Sequence, residues 1–255
     1  MSLQVHGLVK HFDGVQAVNG VTFAVEPGEC VALIGPNGAG KSTTFACIAG
    51  QHAPTAGQVL WNGERIDALR PAQRLQRGIA RTFQVAQTFE ALTVLQNLQL
   101  LTQYPRGLAA YNVLDSSASG PAMALLEQVG LHGLSHADAQ GLPYGAKKRL
   151  ELAIALAGHN TGLLLLDEPA AGLATLERAQ LMVLVKSLTQ RQAGRAGMAV
   201  LYTEHNMDAV FGVADRVLVL IDGVIAAQGT PEEIASDPAV RQRYLGQWWE
   251  KPLYA

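Results

Sequence analysis

The sequence predicts an α/β fold: a largely parallel sheet between helices, with an N-terminal antiparallel β-subdomain and an inserted α-helical subdomain. Three observations carry that prediction. The runs Val31–Ile34, Leu163–Leu166 and Met198–Tyr202 are apolar without alternation, the pattern of strands buried on both faces. The first run leads into a glycine-rich loop and the second into Asp167-Glu168; open parallel sheets place ligands at such strand ends. The stretch 88–158 between those two strands carries helical spacing instead.

Taken in order, residues 3–10 and 15–25 alternate, are rich in β-branched residues and are separated by Asp13-Gly14, which reads as two strands and a turn. Ile79–Phe83 reads as a further strand, ahead of Gln84. Thr93-Val94-Leu95-Gln96 has the spacing of a capping box, and Val94, Leu98 and Leu101 follow on one helical face. A Gly/Ser-rich break at Ser116–Gly120 precedes a second helical pattern running to Gly130. A third helix, about 145–157, puts Leu150, Ala153, Ile154 and Ala157 on one stripe. The expected division is therefore one domain, with 1–87 and 159–255 forming core and β-subdomain and 88–158 the helical subdomain.

Composition narrows the function classes. Hydrophobic residues make up 49% and charged residues 16% of 255, which supports a sizeable core and excludes long disorder. A formal net charge of −2 provides no basic field, so no nucleic-acid partner is expected. Cys30 and Cys47 sit in apolar surroundings without CxxC spacing, as buried, reduced thiols of a cytosolic protein do. Met1–His6 lacks a basic-then-apolar leader, and no apolar run approaches the ~18 residues a bilayer crossing requires. The expectation is a soluble chain that meets a membrane through a partner.

The chemistry centres on Gly35-Pro36-Asn37-Gly38-Ala39-Gly40-Lys41-Ser42, which matches G-x-x-x-x-G-K-[ST] and runs into a helical pattern, Thr43–Ala49. Glycines let backbone N–H groups turn toward phosphate oxygens, and a helix N-terminus adds partial positive charge. Lys41 would reach the β- and γ-phosphates of ATP, and the Ser42 hydroxyl would bind Mg²⁺. Only one such loop occurs, so one nucleotide site is expected. Asp167 ends a four-leucine strand, placed to hold a divalent ion directly or through water. Glu168 can orient or deprotonate an attacking water. His205 and Gln84 also follow strands, but neither residue type, standing alone at a strand end, indicates a role.

Together these residues resemble the ATP-binding cassette (ABC) ATPases, over essentially the whole chain. Phe12, Gly35–Ser42, Gln84, Leu142–Ala146, Leu163–Glu168 and His205 follow the order of the family's adenine-stacking aromatic, Walker A, Q-loop, signature, Walker B and switch histidine. The resemblance implies that Phe12 stacks on adenine and that Thr43 joins Gly35–Ser42 in holding ATP. It also implies that Gln84 senses Mg²⁺ and water, that His205 bonds the γ-phosphate, and that Leu142, Pro143, Tyr144 and Gly145 close the site of a second ATPase subunit in a head-to-tail dimer. Transmembrane permease subunits and, indirectly, a periplasmic solute-binding protein are the implied partners, with the chain on the cytoplasmic face of the membrane. Arg81-Thr82-Phe83-Gln84, Pro169-Ala170-Ala171-Gly172-Leu173 and Gly229-Thr230-Pro231-Glu232-Glu233-Ile234 resemble the branched-chain amino acid import ATPases. Urea or amide import ATPases are similar; soluble, non-transport members of the family usually carry tandem cassettes or large insertions.

Two positions depart from the family pattern. Pro143 stands where a serine hydroxyl would reach the opposing γ-phosphate, and Ala174 stands where the D-loop usually has Asp or Asn. Proline supplies neither a hydroxyl nor an N–H; losing one charge-assisted bond costs about 1.5–3 kcal/mol. The departures point to a heterodimer with one strong and one weak site, rather than a homodimer. Lys147-Lys148-Arg149 is read as a solvated face. The tail containing Trp248-Trp249 is aromatic enough to pack on the core or on a partner.

Overall fold

The computed structural model describes residues 1–82, 88–103, 119–158, 160–190 and 197–246. The first two strands, β1 (Leu3–Phe12) and β2 (Val15–Val25), pair antiparallel with Phe12 opposite Val15. Asp13 and Gly14 fill the two-residue turn at φ 41° and 89°, the positive values that a right-twisted hairpin requires. With β4 (Ala56–Trp61) and β5 (Glu64–Arg65) they make a four-stranded sheet in the order β2-β1-β4-β5.

The second sheet combines β3 (Cys30–Ile34), β6 (Ile79–Arg81), β7 (Leu163–Asp167), β8 (Ala199–Thr203), β9 (Arg216–Ile221) and β10 (Val224–Gly229). Their order is β10-β9-β3-β8-β7-β6; the pairings from β9 to β6 are parallel, and β10 closes the edge antiparallel. Every residue of β3, β7 and β8 is buried. Successive side chains enter opposite cores: Ala32, Ile34, Leu164, Leu166, Val200 and Tyr202 join the larger cluster, while Val31, Leu33, Leu163, Leu165, Ala199 and Leu201 join the other. This two-faced burial is why those runs show no alternation. Each fully buried leucine contributes about 1.5–3 kcal/mol.

Helix α1 (Lys41–Ala49) packs under the smaller-cluster face through Phe45 and Ile48. Its C-terminal end is closed by Arg74 of α2 (Pro71–Gln76), 1% exposed, whose guanidinium donates to the carbonyls of Cys47 and Ile48. That cation satisfies carbonyls left open by the helix and opposes its negative end. On the other face, α3 (Val94–Gln103), α4 (Ser119–Gln128) and α5 (Tyr144–Leu156) pack together. The expected capping box is present: Gln96 N donates to Thr93 Oγ1 (3.2 Å) and Thr93 N to Gln96 Oε1 (2.9 Å). Helices α6 (Thr175–Leu188), α7 (Met207–Phe211), α8 (Pro231–Ser236) and α9 (Pro238–Val240) complete the described chain with a π-helical turn at Arg241–Leu245.

Four strands go beyond the sequence reading. β4 opens with Ala-Gly-Gln and β10 with Val-Ile-Ala-Ala, so neither has a distinctive alternation; partners fix them instead, β1 and β9 respectively. The Gly/Ser-rich break also ends earlier than its composition suggests, because Ser119 and Gly120 already belong to α4. Lys148 corrects the reading of its basic run: it is 3% exposed and faces Glu151 at 3.5 Å. Leu150 and Leu152, on either side of Glu151, are buried too, so α5 is covered on more sides than one amphipathic stripe would be. Cys30 and Cys47 are fully buried, as expected; burial pushes their thiols up to about 12 and about 11.

Candidate active site

The carboxyl ends of the parallel strands converge on one edge of the sheet. Gly35 follows β3 and Gly40 precedes α1. Neither glycine can be replaced without moving backbone. A Cβ on Gly35 (φ 150°) would lie 2.0 Å from Leu220 O, and one on Gly40 (φ 101°) 2.2 Å from Ala17 O. The loop is thus wedged between β9 and β2, and no described side chain caps the N-terminus of α1. Amides at an uncapped helix start suit anionic oxygens. Lys41 is 7% exposed and turns its ammonium onto Gly35 O (2.7 Å) and Pro36 O (2.9 Å). Burial lowers its pKa, and Glu168 and Asp167 act in the opposite direction. Asn37, Gly38 and Ser42 are exposed, Thr43 half-buried and Ala39 buried.

Two strands away from β3, across β8, Asp167 ends β7 at 8% exposure. Its Oδ1 accepts from Thr203 Oγ1 (2.9 Å) and its Oδ2 from Arg81 Nη2 (2.9 Å); Arg81 also donates to Gln51 Oε1. A carboxylate offers about four lone-pair sites, so coordination capacity remains. Asp167 and the open Ser42 hydroxyl are the hard oxygen donors that magnesium takes. Glu168 follows at φ 49°, a left-handed conformation unusual for a side chain of its size. Its amide is bonded to Thr203 O (3.2 Å) and Thr203 Oγ1 (3.1 Å). Its carboxylate Oε1 lies 2.7 Å from His205 Nε2, with side-chain exposures of 19% and 44%. A carboxylate and an imidazole at that distance can share a proton and orient a water.

The structure thus brings Asp167, Glu168 and His205 together. Phe12, at the hairpin tip, is 38% exposed. Lys10 Nζ sits 4.8 Å from its ring centre, and the His52 ring meets it edge-on at 5.2 Å. The predicted signature residues gather elsewhere, at the start of α5. Among the described hydrogen bonds none joins them to the phosphate loop. Leu142 is buried, Tyr144 is 47% exposed and packs against Gly172, and Gly145 lies against the Glu177 carboxylate. Pro143 is the N-cap of α5 and makes no side-chain cap bond. Gln84 and Trp248-Trp249 lie outside the described residues.

Four contributors escaped the sequence reading: Arg81, Thr203, Glu204 and Tyr244. Glu204 bonds the amides of Ala170 (2.8 Å) and His205 (3.2 Å). Burial raises the pKa of Tyr244, and the Gly35 backbone acts in the opposite direction. The only signal for the middle two was the polar sequence Thr203-Glu204 at the end of an apolar strand.

Residues 18–171 match the sequence pattern of the ABC transporter family. The high-affinity branched-chain amino acid transport ATP-binding protein LivG of Escherichia coli (strain K12) is 38% identical over 254 residues, covering 96% of this chain and 98% of that protein. The lipopolysaccharide export system ATP-binding protein LptB of the same strain is 34% identical over 246 residues, with 96% and 98% covered. An ATP-binding cassette of an ABC transporter in its ADP conformation superposes with a TM-score of 0.83 and 30% identity, over 96% of this chain and 99% of that one.

Proposed function

The chain belongs to the ABC transporter family, and we propose that it is the ATP-hydrolysing subunit of an importer for branched-chain or other hydrophobic amino acids. The observation that carries the catalytic part is the Glu168–His205 pair, 2.7 Å apart, beside the glycine-wedged loop. The solute class is supported by the near full-length likeness to LivG, with the lower-identity likeness to LptB favouring an exporter as the second reading.

Gly35–Gly40 and the leading amides of α1 cradle the phosphates of ATP, with Ser42 and Thr43 at the helix start. Lys41 exchanges its loop carbonyls for phosphate oxygens, and Phe12 supplies the stacking surface for the base. Ser42 and Asp167 would hold Mg²⁺, with Gln84 near it; bound there, the ion would neutralise charge on the phosphates. Thr203 and Arg81 keep the Asp167 carboxylate in place. Glu168 orients the attacking water and takes its proton, while His205 holds Glu168 and meets the γ-phosphate.

Leu142–Gly145 face the nucleotide of a second ATPase subunit in a head-to-tail dimer, and that subunit's signature faces the nucleotide of this chain. Pro143 removes a side-chain donor from the half-site this chain lends, which supports pairing with a different ATPase subunit. Closure of that dimer around ATP drives transmembrane permease subunits, fed by a periplasmic solute-binding protein. No described helix is long and apolar enough to cross a membrane itself, consistent with peripheral attachment at the cytoplasmic face.

Glu168→Gln tests the catalytic assignment: kcat falls about a hundredfold or more, while ATP still binds. Unchanged hydrolysis overturns it. Stimulation of the reconstituted transporter by leucine, isoleucine or valine, and not by urea, tests the solute class; stimulation by urea alone removes it.

A further inference from the structure

Glu204 plays no part in the steps above, yet the fold buries it to 3% exposure. Burying a carboxylate costs far more than burying an apolar side chain of similar size, so packing alone does not account for it. Its two oxygens have separate partners. Oε1 accepts from Ala170 N at 2.8 Å and Oε2 from His205 N at 3.2 Å. Burial raises the pKa of Glu204, while the N–H groups of Ala170, His205 and Asn206 act against that rise. Ala170 lies two residues beyond Glu168, and His205 is the next residue along from Glu204. One buried carboxylate therefore ties together the backbones of the two segments that carry the Glu168–His205 pair.

The tie has a counterpart on its other side. Thr203 holds the Glu168 amide through both its carbonyl and its hydroxyl. Between these anchors Glu168 adopts φ 49°, a conformation that persists in a non-glycine residue only where its surroundings over-determine it. We propose that Glu204 is a positioning residue for hydrolysis, which fixes the segment after Glu168 against the segment of His205 and so holds the two side chains at reacting distance.

This inference rests on the roles assigned to Glu168 and His205, and the experiment separates the two. Glu204→Gln keeps an acceptor for Ala170 but turns an amide donor toward the His205 N–H. Glu204→Asp keeps the charge but is one methylene too short to span both amides. In the full-length protein each variant lowers kcat about tenfold, the loss of one charge-assisted bond, and leaves KM for ATP and the affinity for a fluorescent ATP analogue unchanged. In a His205→Ala background the further loss from Glu204→Gln shrinks to less than about twofold, because residues acting as a unit are not additive. A full tenfold loss in both backgrounds, or a change in KM with kcat retained, overturns the proposal. Wild-type kcat in Glu204→Gln beside an impaired His205→Ala overturns it alone. Wild-type kcat in His205→Ala and Glu168→Gln overturns the reading of the site, and the proposal with it.

Discussion

Replacing Thr203 with valine removes one hydroxyl and keeps the side-chain shape. Thr203 is 1% exposed, and its Oγ1 donates to Asp167 Oδ1 at 2.9 Å while accepting from Glu168 N at 3.1 Å. The bond to Asp167 is charge-assisted, in a class worth about 1.5–3 kcal/mol. Asp167 keeps Arg81 at 2.9 Å, and the Glu168 amide keeps Thr203 O at 3.2 Å, so neither group is orphaned and about 2 kcal/mol is the expected cost. In a chain of 255 residues, 1 kcal/mol moves the melting midpoint by about 2–4 °C, giving a fall of about 4–8 °C. Calorimetry of the full-length protein measures that fall. A parallel Mg²⁺ titration of ATPase rate shows a raised half-saturating concentration, because the Asp167 carboxylate has lost one of its two orienting bonds. Thr203→Ser restores both quantities. A midpoint within about 1 °C of wild type, with an unshifted Mg²⁺ titration, would refute the reasoning.

Pro143→Ser in the assembled transporter raises the ATPase rate about tenfold, by restoring a donor to the lent half-site. It also raises the melting midpoint, because Pro143 already has the extended N-cap geometry (φ −54°, ψ 150°) and a serine there can cap α5; an unchanged rate removes the weak-site idea. Arg74→Met strips the guanidinium from the carbonyls at the end of α1 and destabilises the protein by about 3 kcal/mol, measured by denaturant unfolding. Stability also falls as pH rises above 9.0. There the unfolded chain releases its thiol protons, while the native state retains those of Cys47 to about 11 and Cys30 to about 12. The unfolded state then binds fewer protons, which gives a negative slope of about 1.4 kcal/mol per pH unit for each thiol. Below pH 9.0 these groups contribute no slope, and a Cys30→Ala/Cys47→Ala double variant flattens the alkaline limb.

Local pattern was enough where local chemistry decides. The phosphate loop is legible because its glycines answer a backbone need: Gly35 and Gly40 have no room for a Cβ. The capping box at Thr93 is legible because both partners lie three residues apart. The apolar runs of β3, β7 and β8 are legible because burial on both faces removes alternation. Asp167 and Glu168 stood out by their place at a strand end downstream of the glycine-rich loop, whereas His205 was singled out only by the family resemblance.

What the sequence could not determine is which strand lies beside which. The order β9-β3-β8-β7-β6 puts β8 between the phosphate-loop strand and the Asp167 strand, and so places Thr203 against Asp167 across 36 residues of chain. It also brings Arg81 to the same carboxylate across 86 residues, and Glu204 to Ala170 across 34. Pairings so distant in sequence are settled by packing and hydrogen bonding of the whole sheet, and leave no periodic trace in any one segment. The sequence by itself determined where the glycine-rich loop lies and which acids end the strands; the tertiary structure alone decided which neighbours hold those acids in place.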